Sequence, residues 1–173
     1  MKKPETTDYL KEHIADAILL LLKEKPIEKI TVEEIVKKAN VGRATYFRAF
    51  TNKSEAITFK FIKMWEHYAE LNDIKVRDRF DINNALDFFE YNFSIKHILT
   101  LVYAAGQQEA IHESFYRIMC DKRGDGDALG FFRESFYAQG LYGILDAWIR
   151  RDFKETPQEM ADILRRLVIT HNV

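Results

Sequence analysis

The segment from Ile30 to Ile57 constrains the fold of this chain more than any other part of the sequence, because its apolar residues recur at helical spacing on both sides of a short break. Eight apolar residues carry the pattern: Ile30, Val32, Ile35, Val36, Ala39, Val41, Tyr46 and Phe50. Spacing of this kind predicts two short helices that share a buried face. The break is Asn40-Val41-Gly42, where asparagine and glycine tolerate left-handed backbone and Val41 is expected to point inward.

Both helices also have recognisable starting points. Thr31 can cap the first helix, and Glu34 stands three residues later, at the position of the acidic partner in a capping box. The second helix is short and starts at Arg43. Five of its side chains are expected to face outward: Arg43, Ala44, Thr45, Phe47 and Arg48. A short, braced and partly basic helix is typical of elements that enter the major groove of DNA.

The order of residues in this segment resembles the TetR family of bacterial transcriptional regulators. Members typically carry the pattern T-x-x-x-I-A-x-x-A-G-V-S-x-x-T-x-Y-x-H-F, followed by a lysine that opens a long helix. Seven residues stand at matching positions: Thr31, Ile35, Ala39, Val41, Thr45, Phe50 and Lys53. Departures from it include Asn40 in place of Gly, Gly42 in place of Ser, Phe47 in place of Tyr, and Ala49 in place of His. The family uses the last three positions mostly for phosphate and structural contacts, so we expect weaker DNA affinity on an unchanged fold.

The resemblance implies an all-α fold with two domains. An N-terminal three-helix helix-turn-helix DNA-binding domain is expected over residues 1–53, and a C-terminal helical ligand-binding and dimerisation domain over residues 54–173. Double-stranded DNA, a second copy of the chain and a small-molecule effector are the expected partners. Seven residues are the candidates for DNA contact: Thr31, Arg43, Ala44, Thr45, Phe47, Arg48 and Lys53.

These candidates divide by chemistry. Arg43 is the candidate for base readout, as a bidentate donor to guanine, with a phosphate contact or no DNA contact as the alternative. Ala44 and Thr45 can meet a thymine methyl group, and the Thr45 hydroxyl can instead bind phosphate. Three others are candidates for phosphate contacts: Thr31, Arg48 and Lys53.

Composition and charge agree with a folded helical protein. Of the 173 residues, 47% are hydrophobic and only three are proline, which is unlike a disordered chain. Residues 1–53 contain eleven basic and eight acidic residues, a net charge of +3, whereas the rest has a net charge of −4. The positive net charge of residues 1–53 agrees with a role of this part of the chain in binding nucleic acid. The single cysteine, Cys120, excludes an internal disulfide; with no signal peptide or membrane-spanning run, we expect a cytoplasmic protein and no membrane partner.

Helical periodicity and turn residues predict about nine helices. The first is expected from about Thr7 to Lys25, where Pro26 stops it. A long helix is expected from Lys53 or Ser54 to about Asn72-Asp73, with a stripe of five residues on one face: Ile57, Phe61, Met64, Tyr68 and Leu71. Further helices are expected from residue 81 with a bend at 92–94, up to a stop at Gly106, and over 107–120, 128–151 and from 156 onward. The DKRGDGD segment at 121–127 is expected to be a surface loop.

The long helix near the C-terminus carries a stripe of aromatic and small residues at helical spacing: Phe132, Phe136, Gly140, Gly143 and Ala147. Each glycine inside a helix costs about 1 kcal/mol relative to alanine, which is tolerable where another backbone must approach closely. We favour a homodimer interface over packing within the same chain. In the family resembled here, the last two helices of each subunit form a four-helix dimer interface, which agrees with this interpretation.

The middle of the chain is rich in aromatic residues, which are typical of a structural core and also of an apolar pocket. In TetR-like regulators this region encloses a small-molecule pocket that controls the DNA-binding domains. Our hypothesis is therefore an apolar or aromatic effector, with seven candidate contacts: Phe61, Trp65, Tyr68, Phe89, Phe93, His97 and Tyr103. Polar residues such as His97 and Tyr103 would reach an inward face and orient the effector.

The motifs of common enzymes and cofactor sites are absent from the sequence, so we expect neither catalysis nor a cofactor. DKRGDGD superficially suggests a calcium loop, but Phe132 stands where the bidentate glutamate should be, and we expect no metal. The second hypothesis is a TetR-like co-regulator that acts through protein partners with weak or lost DNA binding. The substitutions at Gly42, Phe47 and Ala49 keep this alternative open.

Overall fold

The computed structural model describes residues 4–74, 84–120 and 128–169, and within them the protein has nine α-helices and no β-strand. The helices are α1 (Pro4–Leu22), α2 (Val32–Ala39), α3 (Arg43–Ala49), α4 (Lys53–Leu71), α5 (Ala85–Ser94), α6 (Lys96–Ala104), α7 (Gln108–Cys120), α8 (Ala128–Arg150) and α9 (Pro157–Ile169). A single 3-10 turn, Ile27–Lys29, lies between α1 and α2. The predicted all-α fold is confirmed. The predicted 121–127 loop, and the first residues of the helix expected from residue 81, lie outside the described residues.

Short-range signals in the sequence set several helix ends. Asn40 adopts the left-handed conformation after α2, with φ 54°, and Gly106 does the same after α6, with φ 68°. Thr156 and Glu159 form a capping box at α9, like the one at α2. The end predicted for α1 was wrong, because the helix ends at Leu22 instead of Lys25. Pro26 disfavours helical backbone at the residue before it, and the chain leaves the helix before reaching that point.

The chain divides into two compact units. The first comprises Met1–Trp65 and Thr100–Arg117, and in it α1 packs against both α2 and α3. Its core contains fully buried isoleucines from three helices: Ile14, Ile18, Ile35 and Ile57. The proposed boundary between residues 53 and 54 stays a prediction.

The second unit comprises Glu66–Leu99 and Ile118–Val173. In it α5 packs against α9, and the core is centred on Trp148, which is 1% exposed. Leu71 of the α4 stripe is 71% exposed, because it is the last residue of the helix and the backbone turns away at Asn72 and Asp73. None of the helices in the described ranges combines the length and hydropathy needed to cross a membrane.

Candidate nucleic-acid interface

Local hydrogen bonds hold α2, the turn and α3 in place. The Thr31 N–H donates to Glu34 Oε2 at 2.9 Å, and the Glu34 N–H donates to Thr31 Oγ1 at 3.3 Å, which completes the predicted capping box. After the left-handed Asn40, the Val41 N–H donates to the Val36 carbonyl at 3.0 Å. Val41 itself is half-buried. The turn is therefore specified by its own residues and their immediate neighbours.

Burial separates an inner face from an outer face across the two helices. Ile35, Ala39, Tyr46 and Phe50 are 4% exposed or less. On the outer side of α3, four of the five predicted residues are exposed: Arg43, Ala44, Phe47 and Arg48. The fifth, Thr45, is half-buried. The orientation expected from the sequence is thus present, while DNA contact by each residue stays a prediction.

Arg43 has two contacts on this outer face. Its guanidinium Nη1 donates to Glu33 Oε1 on α2, and its Cζ lies 5.3 Å from the centroid of the Phe47 ring. Both charged side chains remain exposed, 61% for Arg43 and 66% for Glu33. Glu33 was missed by the sequence reasoning, because the two residues are ten positions apart and meet only through the turn.

Lys53 has a structural role that the sequence did not suggest. Its ammonium donates to the backbone carbonyls of Ile27 and Ile30, the latter at 2.9 Å, and so connects the start of α4 to the loop before α2. An ammonium has three N–H donors, so one remains for a phosphate. The predicted phosphate contact is untested, and removal of Lys53 would disturb the loop as well.

Glu34 links the capping box to the segment that follows α1. Its carboxylate also accepts from the Lys25 ammonium, and Lys38 of α2 pairs with Glu24 at 2.7 Å. The hydrogen bond from Lys25, followed by those from Thr31, lowers the pKa of Glu34 from 4.5 to about 2. A carboxylate with a depressed folded-state pKa stabilises the fold above its ordinary pKa, and this contribution is lost as the pH falls toward the lower value.

We therefore predict that Glu34→Gln lowers the free energy of unfolding at neutral pH, and that the difference from wild type shrinks as the pH falls from about 5 to about 2. Urea unfolding followed by circular dichroism at several pH values measures this. Glu70→Gln, at an exposed position of α4, serves as the control and should give a small difference throughout. A Glu34→Gln effect that does not change with pH would contradict the assignment.

The predicted dimer stripe lies on the surface of α8. Phe132 is 66% exposed, Phe136 is 74% exposed, and Gly140, Gly143 and Ala147 are exposed as well. A Cβ atom built on Gly140 or Gly143 would meet no atom within 4 Å among the described residues. No described residue of the same chain therefore packs closely against these two glycines, and the dimer interface stays a prediction.

The seven predicted effector residues fall in both units. Phe61, Trp65 and Tyr103 belong to the first unit, and the other four, Tyr68, Phe89, Phe93 and His97, belong to the second. Phe89 is fully buried with its ring centroid 5.5 Å from that of Trp148, and Phe93 stacks on the same indole at 5.9 Å. His97 is exposed on α6, so the expectation that it reaches an inward face was wrong.

A polar crevice of about 400 Å³ lies in the first unit, and none of the predicted effector residues lines it. Its walls come from the start of α4 and from α7, and include Glu55, Glu109, Glu113 and Arg117. The Thr58 hydroxyl donates to the Ala110 carbonyl at 3.2 Å beside it. Its polar lining differs from the apolar pocket expected for the effector.

Comparison with known proteins identifies the family. Residues 14–55 match the family described as "Bacterial regulatory proteins, tetR family", and residues 82–170 match a "Transcriptional regulator C-terminal region". The chain belongs to the TetR family. This TetR-family protein is therefore a transcriptional regulator with a helix-turn-helix DNA-binding domain, and the resemblance inferred from Thr31 to Lys53 is confirmed.

The fold has a counterpart among solved structures. A TetR transcriptional regulator from Rhodococcus sp. RHA1 superposes with a TM-score of 0.56 over 98% of this chain and 99% of the other. The two sequences are 15% identical, so the likeness concerns the fold alone. No curated protein matches the sequence.

Proposed function

We propose that this TetR-family regulator is a homodimeric repressor that binds a palindromic operator and is released by a small apolar or aromatic effector. The exposed stripe of α8 is the observation that carries the proposal. Seven large apolar side chains are exposed on α8 and α9: Leu129, Phe131, Phe132, Phe136, Tyr137, Ile163 and Leu167. Concentrations of apolar surface of this kind are typical of protein–protein interfaces.

A dimer would also give the helix-turn-helix domain enough base contacts to select one DNA site. A single short helix contacts only about four base pairs, too few to select one site in a genome. Two copies related by a twofold axis read an inverted repeat, and the dimer sets the distance between half-sites. Because α3 contains only Arg43–Ala49, pairing through α8 supplies the selectivity that one chain lacks.

The effector part of the proposal is supported by composition rather than by an open cavity. Tyr68 and Tyr91 have ring centroids 4.8 Å apart, and the Tyr68 hydroxyl lies 3.5 Å from the Asp87 carbonyl. These aromatic rings, together with Phe89 and Phe93, give the second unit an interior suited to an apolar molecule. Thermal-shift screening with aromatic compounds, followed by DNA-release assays on each hit, tests this part. A screen in which no binder releases DNA would contradict it.

The start of α3 favours a second candidate function, that of a co-regulator that acts through protein partners. Gly42 caps α3 without a side-chain hydrogen bond, and Phe47 presents a hydrocarbon ring, 55% exposed, where the family has a tyrosine hydroxyl. Both features reduce the contacts available to a DNA backbone. Titration of the purified protein with the intergenic DNA beside its own gene separates the two functions, because only the repressor binds that duplex more tightly than a scrambled one.

The two arginines of α3 provide the test of DNA contact. We predict that Arg43→Ala lowers affinity for the operator by about 5- to 150-fold per half-site, as expected for loss of a bidentate guanine contact, with a smaller loss on random duplex. Arg48→Ala should instead weaken binding to both duplexes equally. It should also reduce the slope of the logarithm of the binding constant against the logarithm of salt concentration by about 0.9 in magnitude per lost phosphate contact. Fluorescence anisotropy at several salt concentrations measures both, and the reverse pattern would contradict these roles.

A further inference from the structure

Glu33, Arg43 and Phe47 form a cluster of exposed side chains on the outer face of α2 and α3. The Arg43 guanidinium donates to the Glu33 carboxylate from one side, and it lies 5.3 Å from the centroid of the Phe47 ring. Arg48, the other arginine of α3, has no ion pair with any described residue. One arginine of the helix is thus held in place, and the other is not.

These contacts restrict where the Arg43 guanidinium points. A free arginine side chain samples many rotamers, and immobilising it on binding costs entropy. An ion pair at one nitrogen and an aromatic ring near the guanidinium carbon reduce that cost in advance. A guanidinium has five N–H donors in a fixed plane, so those not used by Glu33 remain available to an acceptor pair such as guanine O6 and N7.

The Glu33 carboxylate has the opposite effect on phosphate binding. An ionised carboxylate only accepts hydrogen bonds and carries the same charge as the DNA backbone. For Arg43 to contact a phosphate, it must leave Glu33 or bring a second negative charge close to the phosphate. Contact of Arg43 with a phosphate is therefore less favourable when Glu33 is present, whereas Arg43 can reach a guanine edge with the ion pair intact.

We propose that Glu33 is a specificity-determining residue of the DNA interface, which acts through Arg43 by holding the guanidinium for a base edge and away from phosphates. The proposal rests on the proposed function, because it requires that α3 reads DNA. Glu33 is a positioning residue here, since its effect passes through the arginine that it holds.

The test compares wild type with Glu33→Gln on operator and random duplexes. Loss of the pair frees Arg43 for phosphates, so affinity for random duplex should rise about two- to fivefold per protomer, the range expected for a surface ion pair. Affinity for the operator should rise less. The specificity ratio, which is the affinity for the operator divided by the affinity for random duplex, should therefore fall. For random duplex, the slope of the logarithm of the binding constant against the logarithm of salt concentration should increase in magnitude by about 0.9 for each new phosphate contact. The melting temperature should change by less than about 4 °C, because both side chains are exposed.

A double-mutant cycle with Arg43→Ala distinguishes positioning from simple charge repulsion. In the Arg43→Ala background, Glu33→Gln should leave the specificity ratio unchanged. An equal rise in affinity in both backgrounds would overturn the proposal, since Glu33 would then only repel DNA. An unchanged specificity ratio in the wild-type background would also overturn it. Failure of the wild-type protein to prefer any operator would instead contradict the proposed function.

Discussion

Replacement of Phe136 by aspartate should convert the proposed dimer into a monomer and lower operator affinity by roughly 100-fold or more. Phe136 is 74% exposed in the single chain, so the substitution removes little from the fold of one protomer. In a twofold dimer, each substitution occurs twice and places two carboxylates in the same apolar interface. Without the dimer, each α3 binds its half-site alone, and the selectivity of the pair is lost.

Sedimentation velocity and operator titration measure the two consequences in the same preparation. Leu71→Asp is the matched control, because Leu71 is 71% exposed on α4 and receives the same charge outside the α8 stripe. The control should remain dimeric and bind DNA as wild type does. A Phe136→Asp protein that stays dimeric with full affinity would contradict the assignment of α8 as the interface.

Replacement of Trp148 by alanine should lower the free energy of unfolding by about 3–5 kcal/mol, a large share of the stability of a domain this size. The indole is 1% exposed and contacts the rings of Phe89, Phe93 and Phe153, with centroids 4.9–5.9 Å away. Its Nε1–H donates to the Glu155 carbonyl at 3.1 Å, between α8 and α9. The substitution therefore leaves a cavity and also removes the hydrogen bond to the segment that connects α8 and α9, the two helices proposed to form the dimer interface.

Urea unfolding followed by circular dichroism measures this loss. Trp148→Phe is the control, because it keeps much of the ring packing but removes the hydrogen bond to Glu155. Trp148→Phe should lower the free energy of unfolding less than Trp148→Ala does. The difference between the two variants measures the effect of the larger cavity that alanine leaves. An alanine variant as stable as wild type would mean that the aromatic cluster does not hold α8 and α9 together.

The elements predicted best from the sequence are those whose signals are local. Thr31 and Glu34 cap α2 from three residues apart, and Asn40 adopts its left-handed conformation within the turn that it forms. Such features depend on the chemistry of a few consecutive residues, so a pattern suffices to find them. The outward orientation of α3 was predicted from the helical spacing of the apolar residues around this turn.

Contacts between residues far apart in the chain were not accessible in this way. Glu33 meets Arg43 across the turn, and Lys53 reaches carbonyls 23 and 26 residues earlier. Neither pairing has a sequence spacing that distinguishes it from the other charged residues on exposed helix faces. Both became visible only once the backbone placed the partners together.

The effector residues illustrate a different limit. Buried aromatic residues are common both in a solid core and in the wall of a ligand pocket, so their presence in the sequence does not distinguish the two. Phe89 and Phe93 were predicted to contact an effector, and the structure places both rings beside Trp148 in the second unit. Contact of either ring with an effector stays a prediction. Only the arrangement of the neighbouring side chains separates the two roles.

Selection of bound duplexes from a random pool tests the central claim most directly, because the protein itself then chooses the operator from all possible sequences. A dimer that presents two α3 helices should enrich an inverted repeat, with a guanine in each half-site that Arg43→Ala no longer selects. Enrichment of a single unpaired half-site, or of no sequence at all, would contradict the account.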